Sequence, residues 1–282
     1  MRIIMDDAGD IPAALQEKYD ISIIPVNVMF GTEEFLSGVT IDRPTFYAKT
    51  ATVDDKSFPK TSQPTPYQYV EFCKQFIEKG ETEFLIVTVS EKLSGTYASA
   101  LAAQKELAGR ATLHLFDSKG GSAAQGYMCI EAARMFEAGK GIDEVLARLT
   151  QIRDEMAVFF MIDSLEYAVK GGRVSSMKSV MASLLNIKPI MKLEDGLIVE
   201  AGRVRARKKA VPYIVEEVKK RVGNKPVRLA VIHANSLEMA EKLRKAALGE
   251  LNSQELIMVD MCLPVAINLG PGALGLVAVP AE

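Results

Sequence analysis

The sequence is poor in the side chains that most often do covalent or metal chemistry. Its 282 residues include only two histidines, His114 and His233, and three cysteines, Cys73, Cys129 and Cys262. The cysteines are far apart, form no CxxC pair and each sit among apolar neighbours, which argues against a zinc site and against a disulfide framework. Charge of one sign is not in excess: 34 Lys and Arg face 36 Asp and Glu, and a formal net charge of -2 disfavours a nucleic-acid partner. No uninterrupted apolar run is long enough to span a bilayer. The opening MRIIMDD has neither the basic region nor the long apolar stretch of a secretory signal, so the expected compartment is the cytoplasm.

What is present is an ordinary globular balance, 48% hydrophobic and 25% charged, enough for a substantial core. The length fits two domains. Up to about residue 156, apolar β-branched runs alternate with helical ones: RIIM then PAALQEKY, FLIVTV then a helix to about Leu107, TLHLFD then GYMCIEAARMFEAG. This alternation predicts an N-terminal α/β domain over 1–156, a parallel sheet with flanking helices. Pro12 fits the first turn of the first helix, with Asp10 placed to cap it. Residues 31–65 read as an irregular loop with a short helix after Pro44. Beyond residue 156 hairpins mix with helices. IKPIMKL and LIVEAGRVRAR flank Glu194-Asp195-Gly196, and Asp-Gly between extended runs is a hairpin signal. A C-terminal α+β domain over 157–282 is expected, docked closely on the first with a crevice between them.

Three strands of the first domain run into polar turns: DDAGD, SEKLSGT and SKGGSAAQ. In a parallel sheet these ends share one edge, and ligands bind in the crevice outside it. A serine nucleophile at Ser94 would need a base. His114 lies inside an alternating strand, His233 belongs to the second domain, and the turn reads KLSGT rather than GxSxG. A serine-dependent acyl hydrolase using Ser94, with His233 or Asp117 in support, is the alternative reading. Neither GxGxxG nor GxxxxGK[ST] occurs, though the glycine pairs of KGGSAAQG and VKGGRVSS are able to cradle an anion. Gly171-Gly172 equally suits the end of the helix SLEYAVK. Asp6, Asp7 and Asp10 are close enough for acid–base work or magnesium, or simply for tying down their turn. A last possibility is a carboxylate held by hydroxyls without any base, from the LSGT turn and from TSQPTP, residues 61–66, whose prolines fix an extended shape.

KTSQPTP, SEKLSGTYASA, LEYAVKGGRVSS, LLNIKPIM, RARKKA and GPGALGL, in that order along essentially the whole chain, resemble the DegV family, and DDAGDIP looks like that family's opening turn. The resemblance implies an N-terminal α/β and a C-terminal α+β domain holding one long-chain fatty acid between them. It also implies a role like that of the FakB subunits, which present the acid's carboxylate to a separate fatty acid kinase subunit for acyl-phosphate formation and phospholipid synthesis. The bound acid is the only small molecule expected, with no cofactor and no catalysis by this chain itself. Carried over, the carboxylate clamp is Thr61 or Ser62 together with Ser94, with the Gly95 N–H close by. Asn268 stands where the family has a histidine, Ile267 where it has a threonine, and Asp7 where it has a serine. MKSVMASLLNIKPIM, Met177 to Met191, is the expected tunnel lining, since flexible methionines suit a flexible chain. Arg203, Arg205 and Arg207 alternate and are expected to share one strand face, which with Arg173 forms the kinase-docking surface the resemblance implies.

Overall fold

The structure, a computed structural model, describes residues 1–54, 56–174 and 187–281. Its first half contains β1 (Arg2–Asp6), α1 (Ala13–Lys18), β2 (Ser22–Ile24), β3 (Asn27–Phe30), β4 (Glu33–Leu36), α2 (Arg43–Thr50), β5 (Lys60–Ser62), α3 (Pro66–Ile77), β6 (Glu83–Thr88), α4 (Thr96–Glu106), β7 (Thr112–Asp117), α5 (Ser122–Glu137) and α6 (Ile142–Glu155). The second half contains β8 (Ala157–Met161), α7 (Leu165–Gly171), β9 (Lys188–Glu194), β10 (Leu197–Val204), α8 (Arg207–Val222), β11 (Val227–His233), α9 (Leu237–Glu250), β12 (Ser253–Asp260), α10 (Leu263–Leu269) and β13 (Leu274–Pro280).

The apolar runs of β1 and β6 are buried almost throughout, as strands covered on both faces must be. They form the centre of a parallel sheet in the order β2-β1-β6-β7. The chain leaves β1 toward β2 on one side and returns as β6 on the other, so the switch point lies between β1 and β6. A mixed sheet follows in the order β10-β9-β8-β13-β11-β12, all of its strands beginning at or after Ala157. This is the α/β arrangement with a second, mixed α+β part that the sequence predicts.

Helix α5 sits between the two sheets. It packs on β1 and β6 of one and on β11 and β13 of the other. Every residue from Ser122 to Ala133 is buried. Tyr127 donates its hydroxyl to the Leu229 carbonyl at 2.6 Å. One apolar cluster consequently runs from Met5, Leu85 and Val87 through Ile130 to Phe160, Ile232 and Val277. The helix approaches the β1 turn so closely that a Cβ on Gly126 would fall 2.1 Å from the Asp10 carbonyl oxygen.

The Asp-Gly hairpin forms between β9 and β10, with Asp195 and Gly196 at φ of 47° and 78°, as a two-residue turn with both centres left-handed requires. It is tied to the first half: Ser90 Oγ donates to the Gly196 carbonyl at 2.7 Å, and Lys92 and Lys119 bind the Asp195 carboxylate at 2.6 and 2.7 Å.

Several expectations are corrected. Asp10 does not cap α1, whose N-cap is Pro12 without a side-chain bond. Asp10 instead accepts from Ser122 Oγ and, at 2.8 Å, from the Cys262 N–H, partners distant in sequence that outcompete the local cap. Residues 31–65 are more regular than an open loop. Besides α2, they supply β4 and β5, which flank β3 in an antiparallel sheet. Arg203, Arg205 and Arg207 do not share a strand face, because β10 stops at Val204 and Arg207 is already the first residue of α8. Gly172, at φ 74°, is the left-handed C-cap of α7, so the glycine pair ends a helix.

Candidate functional site

The residues that follow β1 and β6 open into a cavity of about 890 Å³, counting the space at its mouth. Its position at the switch point of the parallel sheet is where side chains from two strand ends and the facing sheet converge. The floor is the inner face of the mixed sheet: Val158 and Phe160 of β8, Leu193 of β9, Ile198 of β10 and Ile232 of β11. Gly275 of β13 pairs with both Phe160 and Ile232, and a Cβ there would lie 2.9 Å from Phe160 and 3.0 Å from Ile232. The missing side chain lets these two close over β13 and makes the floor continuous.

The polar lining comes from separate elements: Thr61 and Gln63 from β5 and its exit, Ser94 and Thr96 from the turn into α4, Arg173 after α7, and Asn268 of α10. Thr61 faces the cavity and Ser62 does not, because successive strand residues point to opposite sides. Ser94 Oγ lies 2.8 Å from Thr96 Oγ1, two hydroxyls in mutual contact. Gly95 is not itself part of the lining. A Cβ on it would fall 2.8 Å from Gln63 Nε2, so its bareness lets that amide lie over the turn. Asn268 Nδ2 donates to the Pro264 carbonyl at 2.7 Å, while its buried Oδ1 has no hydrogen-bond partner. Arg173 Nη1 donates to the Gly171 carbonyl at 2.7 Å, holding the guanidinium at the rim.

Of the three aspartates, Asp6 lines the cavity, and Asp7 and Asp10 stand behind it. Burial pushes the Asp6 carboxyl up to about 6, against the pull of the Val89 and Ala8 N–H groups and Gln125 Nε2 at 2.7, 3.0 and 3.0 Å. With both oxygens occupied by N–H donors, Asp6 is a brace between strand ends rather than a magnesium ligand. Burial likewise raises Asp10 to about 6 and Asp7 to about 7, and Asp10 and Asp6 push Asp7 further in the same direction. Asp7 Oδ2 is buried without a hydrogen-bond partner. Among the described residues no group of three His, Cys, Asp or Glu could hold a metal ion.

The groups a Ser94 nucleophile would need are engaged elsewhere. His233 Nδ1 faces Asp260 Oδ1 at 3.3 Å, and Asp117 Oδ1 accepts from the Glu91 and Lys119 N–H groups at 3.2 and 3.0 Å. Of the arginines, Arg203 is exposed and paired with Glu200 in its own strand, and Arg205 is exposed. Arg207 turns inward, donating to Ser236 Oγ at 2.8 Å and facing Asp163 at 3.7 Å. Of the methionine-rich stretch, Met177 to Asn186 lies outside the described residues, and Met191 is fully buried in the main core.

A family model described as an uncharacterised protein family, DegV, matches residues 1–281. The chain belongs to the DegV family. It is 29% identical to Protein DegV of Bacillus subtilis over 276 residues, 97% of each chain. Among solved structures, the DegV lipid-binding protein of Thermotoga maritima superimposes with a TM-score of 0.91 at 27% identity, covering 100% of this chain and 98% of that one. A DegV family protein of Thermus thermophilus, described by its fatty acid binding, has a TM-score of 0.91 at 28% identity, covering 99% and 100%. A stearic acid-binding protein from Eubacterium ventriosum has a TM-score of 0.85 at 26% identity, covering 99% and 98%.

Of the polar lining, Gln63, Thr96 and Ser122 were not assigned to the site of this DegV chain from the sequence. Gln63 stands two positions beyond Thr61, and in extended backbone that spacing returns a side chain to the same face, which was the available signal. Thr96 is the first residue of α4, beyond Gly95 at φ -74° and ψ 9°, so it reaches the cavity from the start of a helix and no strand spacing announces it.

Proposed function

We propose that this DegV protein holds one long-chain fatty acid between its two lobes, 1–156 and 157–282, and presents the carboxylate to a separate fatty acid kinase subunit without catalysing a reaction itself. The observation that carries this reading is the cavity's polarity: an apolar sheet floor with hydroxyls and an amide gathered on the loops opposite. Each methylene that leaves water contributes about 0.8 kcal/mol, so a long chain contributes on the order of 10 kcal/mol before ordering costs. Desolvating one hydrogen-bonded carboxyl costs a few kcal/mol. Thr61, Ser94 and the Gly95 turn supply neutral donors, Asn268 adds an amide, and the Arg173 guanidinium stands at the rim to attract a negative head group.

Native mass spectrometry of protein purified without added ligand tests the reading. A retained mass in the fatty-acid range is expected, and an empty chain or a phosphate-bearing small molecule would overturn it. Ser94→Ala removes a donor to a charged group, worth about 2 kcal/mol, so oleate should bind about thirtyfold more weakly with the melting temperature unchanged. Unaltered affinity would remove Ser94 from the clamp.

The docking surface is proposed to rest on exposed Arg203 and Arg205, joined by Arg173. Arg207 braces Asp163 and Ser236 and is left out of the test for that reason. Reversal of Arg203 and Arg205 to Glu should lower kinase-dependent phosphorylation of the bound acid by about tenfold or more, while lipid retention stays at the wild-type level. Equal loss of both would place these arginines in the fold instead of the interface.

A further inference from the structure

One layer of side chains separates the apolar side of the cavity from a second space. Val158 and Leu193 line the cavity and also line a polar cleft that Lys119, Arg153, Lys192 and Arg221 share. Both belong to the sheet floor, not to the hydroxyl-bearing loops. Val158 is buried and Leu193 only half-buried, packed against the edge of the main core. Met156 and Phe159 also line the cleft, but more than half of its lining residues are charged, so it receives a hydrocarbon less well than the cavity does. Lys119 is paired with Asp195, Lys192 with Glu194 at 2.7 Å, and Arg221 donates to the Asp154 carbonyl at 2.9 Å.

We propose that Leu193, seated against Val158, is the stop that sets the length of the acyl chain. The inference rests on the fatty-acid reading above. A chain that fits ends against the Leu193 isobutyl group. A longer one must either push Leu193 aside into the cleft or leave its last methylenes among paired charges. Each methylene so stranded forgoes about fourfold in affinity relative to one buried in hydrocarbon. Ile198, the cross-strand partner of Leu193, holds it from the side, so the stop is a side chain fixed in a sheet and not a mobile loop.

The test is a competition in which wild type, Leu193→Ala and Leu193→Phe are each offered an equimolar mixture of lauric, palmitic, stearic, arachidic and behenic acids, and the retained acids are released and quantified. Leu193→Ala opens the wall, and the ratio of behenic to palmitic acid retained should rise by about tenfold. Leu193→Phe thickens it and should shift retention toward lauric acid by a similar factor. Should the alanine variant fail to fold, as judged by its thermal transition, the phenylalanine variant decides alone. An unchanged preference in the folded variants overturns the stop while leaving the fatty-acid reading in place. A wild-type protein that retains none of the acids overturns both.

Discussion

Gly126→Ala is expected to destabilise the protein by about 3 kcal/mol or more, read as a lowered midpoint of urea unfolding at constant slope. The added methyl would sit 2.1 Å from the Asp10 carbonyl oxygen, a backbone atom with no rotamer to escape into. Neither side has room to yield. Helix α5 is enclosed by both sheets, and the Asp10 turn is held by Ser122 of the same helix and by the Cys262 N–H. Since Ser122 and Gln125 also anchor the turns that line the cavity, surviving folded protein should bind oleate, the class of ligand proposed above, less tightly. A loss below about 1 kcal/mol would mean that α5 and the β1 turn part more easily than their packing indicates.

The second large effect concerns pH. Burial raises the Asp7 carboxyl from 3.8 to about 7. Between those values the folded protein therefore holds a proton that the unfolded chain has released. Stability contributed by this group is present at low pH, falls as pH rises through the window, and stays lost above about 7. Asp6 and Asp10, each raised to about 6, act in the same direction. Asp7→Asn removes the charge with little change of shape. At pH 8 it should stabilise the protein by on the order of 2 kcal/mol, a gain that shrinks toward zero near pH 4. Chemical denaturation of wild type and variant at pH 5 and pH 8 checks this, and a gain of the same size at both values would show that charge is not its origin.

Much of the fold was legible because its signals are local. FLIVTV and TLHLFD are short, apolar and β-branched, and Asp195-Gly196 dictates its own turn. The crevice was legible for the same reason, as the strands that end there run straight into polar residues. What stayed hidden depends on distant partners. LPVAINL is too short and too uniformly apolar to separate a buried helix from a strand, yet as α10 it carries Asn268 into the cavity. EEFL and KTS lack alternation and become strands only because β3 offers two free edges. The resemblance of TSQPTP to a family motif named two adjacent hydroxyls, and only the register of β5 assigns Thr61 to the cavity. Thr65 of the same motif caps α3 through a reciprocal box with Gln68. Asp10 has a good local role as a cap and a better remote one, and nothing within ten residues of it announces Ser122 or Cys262.

Under the proposed binding role, helix α5 also limits how a guest can get in. A clamshell swing of the two sheets would strip hydrocarbon from an element that has almost no wet side, at a cost far above thermal energy. Among the described residues, passage instead falls to shrugging of the smaller parts around the rim: the three-residue β5, the Ser90–Gly95 turn and the two-turn α10. Exchange of the guest should therefore track the local loosening of those pieces and be nearly indifferent to the global unfolding rate.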